Sequence, residues 1–141
     1  MLLVFICCFA IIAACQAQGS KAESNVRALL SSQVEDWNQG DIISFMDGYW
    51  RSENLTFIGS NGVTQGWDQT LANYQKGYPD KAAMGHLRFE LKDVREQSKK
   101  VVSVVGRYIL DRKNETLDGY FLLVVKKLKG KWYIVADHSS D

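Results

Sequence analysis

Residues 119–140 read GYFLLVVKKLKGKWYIVADHSS, two apolar runs separated by the polar, glycine-containing stretch KKLKGK. An extended apolar run, a short turn and a second such run form the pattern of a long antiparallel hairpin. Two further runs precede it, HLRFELKDV at 86–94 and VVSVVGRYIL at 101–110, so the spacing predicts four strands in an antiparallel meander. The first alternates, with Leu87, Phe89 and Leu91 on one face and Arg88, Glu90 and Lys92 on the other. The middle two are apolar on both faces. Strict alternation along the last strand sets Trp132, Ile134, Ala136 and His138 on one face and Tyr133, Val135 and Asp137 on the other.

Upstream of the meander the period is helical. Ser20 and Glu23 stand at capping-box spacing, and Val26, Leu29, Leu30, Val34 and Trp37 recur at helical intervals until Gly40. Asp41 can cap a second, shorter helix carrying Ile42, Phe45, Met46 and Tyr49. Asn61-Gly62 lies between two short extended runs and predicts a hairpin whose two central residues take positive φ. Trp67, Leu71 and Tyr74 mark a third helix, ended by Gly77 and Pro79. Three helices can cover only one face of a four-stranded sheet. The apolar second face of the middle strands therefore predicts a homodimer through the sheet.

The chain has 141 residues, one domain's worth. Its 17 basic and 16 acidic residues are well mixed, with no basic block beyond the pairs Lys99-Lys100 and Lys126-Lys127, which argues against nucleic acid as a partner. The first charged side chain is Lys21, and Leu2 to Ala14 is mostly apolar, an export signal in outline. That run falls short of the ~20 apolar residues of a membrane-crossing helix. All three cysteines, Cys7, Cys8 and Cys15, lie within it, which excludes an intramolecular disulfide or a cysteine metal site in the folded domain. Ile12-Ala13-Ala14-Cys15 resembles a bacterial lipobox, with Cys15 as the lipidated residue and Gln16 after it. Ordinary cleavage after Ala17 is the alternative. The expected organisation is a signal over 1–17 and a domain over 20–141, in the cell envelope or secreted, touching membrane only through a lipid anchor. The glycosylation acceptors at Asn54 and Asn114 conflict with that export route and read as chance. GSNG at 59–62 lacks the following lysine of a phosphate-cradling loop.

The order helix, helix, hairpin, helix, meander resembles the nuclear-transport-factor-2-like superfamily. The likeness is carried by WNQGD (37–41), FIGSNGVTQGW (57–67), YPD (78–80), MGHLRF (84–89), GRYIL (106–110) and the closing 119–140 stretch. Within the superfamily it is most similar to the bacterial branch of unknown function related to SnoaL-type polyketide cyclases. The resemblance implies an α+β cone of cystatin-like type, a curved antiparallel sheet wrapped around the amino-terminal helices with a pocket between. It also implies a central last strand whose end lies near the pocket mouth.

Enzymes of this superfamily use an Asp, His or Tyr in the pocket as general acid or base. The candidates here are Asp137 and His138, with Arg107 to hold an anion if its strand face looks inward. If Arg107 faces outward, a partner acid or the sheet margin is its expected place, since a buried guanidinium needs pairing. His86 reads as a turn or edge residue. Trp37, Tyr49, Trp50, Tyr74, Tyr78 and Phe121, with Arg107 and His138, are the expected lining for a small apolar or aromatic ligand; no cofactor or metal is expected. The function read from the sequence is thus ligand binding or dimeric interaction, with a SnoaL-like isomerase, cyclase or hydrolase as the alternative.

Overall fold

The computed structural model describes residues 19–140, so the expected export segment and Cys15 lie outside the described residues. Helix α1 (Lys21–Gln39) begins at the capping box: Glu23 N–H donates to Ser20 Oγ at 3.2 Å, and Ser20 N–H donates to Glu23 Oε2 at 3.1 Å. It ends at Gly40, in the left-handed region. The short α2 (Ile42–Met46) is capped by Asp41, which accepts from Ser44 N–H.

A hairpin of β1 (Thr56–Gly59) and β2 (Gly62–Gln65) follows, then α3 (Trp67–Gly77) and a single turn, α4 (Lys81–Met84). That last turn was not expected. Asp80 accepts from Ala83 N–H and so caps it in a segment otherwise read as loop. The hairpin forms where expected, yet its turn sits one residue earlier, on Ser60 and Asn61. Only Gly62 among these takes positive φ, at +98°.

The meander is β3 (His86–Ser98), β4 (Val101–Asp111), β5 (Thr116–Leu128) and β6 (Lys131–Ser140). The hairpin does not stand apart from it. β1 pairs in parallel with β6, matching Phe57 to Asp137 and Ile58 to His138, and completes a six-stranded sheet in the order β2-β1-β6-β5-β4-β3. Register breaks at Lys92 and Gln97 in β3 and at Val135 in β6 each add one unpaired residue. Such bulges bend and twist a strand, and here they curl the sheet into the cone.

The inner surface packs against α1 and α2 through Val26, Leu30, Trp37, Phe45 and Met46, all 4% exposed or less, facing Val102, Val104, Leu123, Val125 and Ile134. Among the described residues no helix lies on the opposite surface. There Tyr120 is 56%, Leu122 47% and Val105 37% exposed.

Candidate functional site

The bulge at Val135 decides what the cone contains. Val125 pairs with Ile134 and Val124 with Ala136, leaving Val135 as the extra residue. Beyond it the alternation is rephased: Ile134, Asp137 and Ser139 point inward, and His138 points out. Strict period two had placed Ile134 and His138 together, and one additional residue reverses that assignment.

Asp137 is 4% exposed. Its carboxylate accepts from the Tyr49 hydroxyl at 2.7 Å and from Ser139 Oγ at 2.8 Å. Tyr49 arrives there because residues 48–50 run alongside β6: Ile134 N–H donates to Gly48 O and Trp50 N–H to Ile134 O, each at 2.9 Å. Burial pushes the Asp137 carboxyl up to about 6, against the opposing pull of the Tyr49 and Ser139 hydroxyls and of His138. Burial also raises the Tyr49 and Tyr74 phenols, and the negative charge of Asp137 raises them further. Asp137, its bonded Tyr49 and the neighbouring Tyr74 thus influence one another electrostatically within an apolar wall.

That wall encloses a cavity of about 900 Å³. Trp37 lies edge-on to Phe45, Tyr74 and Tyr78, with centroids 5.0, 6.0 and 4.8 Å away. Phe57 extends the cluster by an edge contact to Tyr74. Across the cavity Phe89 and Phe121 meet at 5.1 Å. Phe121 fits because Gly106 lies beneath its ring; a Cβ there would come within 2.3–3.0 Å of ring carbons in the absence of adjustment. The exposed Asn61, Gly62, Lys76 and Thr116 ring the opening. The arrangement is a mostly apolar, aromatic chamber with one buried titratable carboxyl in its wall, suited to a small ring-bearing molecule and to proton transfer.

Of the residues singled out from the sequence, Trp37, Tyr49, Tyr74, Tyr78, Phe121 and Asp137 line this chamber. Trp50 does not; it is half-buried beside β6, where its backbone bonds to Ile134. His138 is exposed on the outer face, opposite Leu122. Arg107 also faces outward and is held within its own chain by Asp118, with Nε at 2.8 Å and Nη2 at 2.7 Å, and by Glu90 at 3.9 Å. It needs no acid from a second molecule to be paired. His86 begins the edge strand β3 and is exposed.

Sequence reasoning passed over Gln33, Tyr108 and Arg112, which also line the cavity. A signal existed for Gln33: it falls on the apolar stripe of α1, three residues after Leu30 and four before Trp37. It is 2% exposed and donates to Phe45 O at 2.9 Å.

No protein-family model and no curated protein matches the sequence. Among solved structures it is similar to an NTF-2-like protein of unknown function from Shewanella oneidensis, at 42% identity and TM-score 0.82, over 85% of this chain and 99% of that one. A Nostoc punctiforme domain of unknown function with a cystatin-like fold shares 26% identity over 86% of this chain and 78% of its own, at TM-score 0.69. A ketosteroid isomerase-like protein from Erwinia carotovora shares the fold at 16% identity and TM-score 0.67, over 86% and 97% of the two chains.

Proposed function

The chain belongs to the nuclear-transport-factor-2-like superfamily, and from that premise we propose that its cone binds a small, largely apolar molecule and exchanges a proton with it at Asp137. The observation that carries this is the buried carboxyl on the cavity wall, bonded to Tyr49 and Ser139. A carboxyl poised near 6 is mostly ionised at neutral pH, yet holds a proton far better than an ordinary carboxylate, and so can act as base and then as acid. In the base step a ligand C–H or O–H proton passes to a carboxylate oxygen of Asp137. In the acid step the same proton returns to the ligand, at the same atom or a neighbouring one. Tyr49, donating to Asp137, holds the carboxylate in place. The ketosteroid isomerase-like neighbour supports this reading through its fold alone.

The test uses small cyclic ketones in deuterated water, with exchange of the hydrogens beside the carbonyl followed by NMR. The protein should accelerate exchange, and Asp137→Asn should lower that acceleration roughly 10²- to 10⁴-fold. Equal rates for the two proteins would sink the proton-transfer step while leaving ligand binding standing.

We further propose a homodimer through the outer sheet face, on the strength of exposed Val105, Tyr120 and Leu122 lying on adjacent strands. Export with lipidation at Cys15 completes the reading. Its support is the apolar run from Leu2 to Ala14 ending at Cys15. Replacing Cys15 with Ser should release the protein from the membrane fraction; unchanged fractionation would leave only ordinary signal cleavage.

A further inference from the structure

Two cations line the cavity, Lys76 and Arg112. Arg112 follows β4 in the turn to β5 and its side chain is only 20% exposed. Nη1 reaches Glu115 Oε1 at 3.0 Å, and the guanidinium carbon lies 5.9 Å from the centre of the Tyr78 ring. Its Nε is buried and has no hydrogen-bond partner among the described residues. A charged donor withdrawn from water without an acceptor is costly, so something must hold the side chain there.

The backbone supplies part of that hold. Arg112 N–H donates to Glu115 O at 2.9 Å, closing the turn. Below the stem is Gly85, with φ of +63°, where a Cβ would come within 2.9 Å of Arg112 Cγ and 2.8 Å of Asp111 O. Arg112 is thus seated over a position that admits no side chain.

The surrounding charges leave this cation partly unanswered. Of the two acids lining the cavity, Asp118 is engaged by Arg107 and Asp137 is bonded to Tyr49 and Ser139. Glu115, the partner of Nη1, is 56% exposed, and an ion pair so open to water neutralises little. Nε has no surface that a ligand could reach. What remains is the Nη end of the guanidinium, where Nη1 keeps one N–H beyond its bond to Glu115 and Nη2 stands beside it, an edge that can meet a carboxylate through parallel N–H bonds.

We propose that Arg112 is the recognition element for a carboxylate on the ligand, so that the cone takes small ring-bearing carboxylic acids with the ring against Trp37, Tyr74 and Tyr78. Lys76 adds longer-range attraction for the anion. This rests on the reading of the cavity as a ligand site and assigns the class of ligand that enters it.

The test measures binding to the full chain by titration calorimetry, using benzoate, cinnamate and 2-naphthoate, each beside its own primary amide. At least one acid should bind more tightly than its amide by roughly 10- to 100-fold, the range of a charge-assisted contact. In Arg112→Gln that preference should collapse while the amide keeps its affinity, which also shows that the variant is folded. Arg112→Lys, with the charge but without the fork, should restore only part of the preference. Equal binding of acid and amide, or a preference that survives Arg112→Gln, would overturn the carboxylate assignment and leave the cavity reading intact. Failure of all six probes to bind would overturn both.

Discussion

A carboxyl placed in an apolar wall holds its proton more tightly than one in water, and at Asp137 this links stability to pH. Its folded value of about 6 lies above the ordinary 3.8. The protonated form is therefore favoured by folding. The associated stabilisation is fully present below about 4 and is lost as pH rises through about 6. A shift of that size corresponds to roughly 3 kcal/mol. Asp137→Asn cannot ionise, so its stability relative to the natural protein should grow by up to that amount between pH 4 and pH 8, as read by urea unfolding. A constant difference across that range would contradict the burial of an ionisable carboxyl. At this scale the sequence was informative about residue type and weak on direction. Asp137 and His138 were both legible as candidates, being titratable groups in an apolar strand. Which of them entered the cone depended on one unpaired residue. Arg112 offered no comparable signal, because a turn arginine in DRKNE is indistinguishable from a solvated one until Gly85 and Tyr78 are brought beside it.

Among the elements, the helices were the most legible, since their caps and apolar stripes are local. The capping box of α1 was readable from Ser20 and Glu23, but the second task of Glu23 was not. Its Oε1 accepts from Glu96 N–H of β3 at 3.1 Å, so the residue that closes the helix also fastens it to the sheet. Ser20→Ala should therefore cost about 1 kcal/mol, and Glu23→Ala about 2 kcal/mol, since it strands donors in two elements. Urea unfolding of the two variants checks the order; equal losses would mean that the link to β3 contributes nothing. Strands were legible as strands from their period, while their register was not. A bulge such as that at Val135 carries no Gly or Pro to announce it, and the alternating pattern reads smoothly across it. The parallel pairing of β1 with β6 joins residues some eighty positions apart, beyond the reach of any local pattern.

For the whole molecule, the inference from apolar middle strands to an uncovered face agrees with the structure: Leu122 and Tyr120 of β5 stand exposed beside Val105 of β4. The four strands predicted from the period become six with the hairpin, yet the added strands lengthen that face without covering it. If a second copy covers it, Leu122→Glu should convert dimer to monomer in light scattering at micromolar concentration, with helical and strand content unchanged. A natural protein that is already monomeric under those conditions would remove the dimer. The cone itself followed from the family resemblance, whereas its open interior did not, because the same aromatic residues could equally have filled it. Their edge-on packing leaves the space open, and that packing has an optical consequence. Of the four tryptophans only Trp37 borders the chamber, its indole N–H fixed on Met84 O. Light emitted by Trp37 should therefore change in colour and intensity when a guest displaces water from beside it, over a steady background from Trp50, Trp67 and Trp132, so that the molecule carries its own lamp for watching the chamber fill.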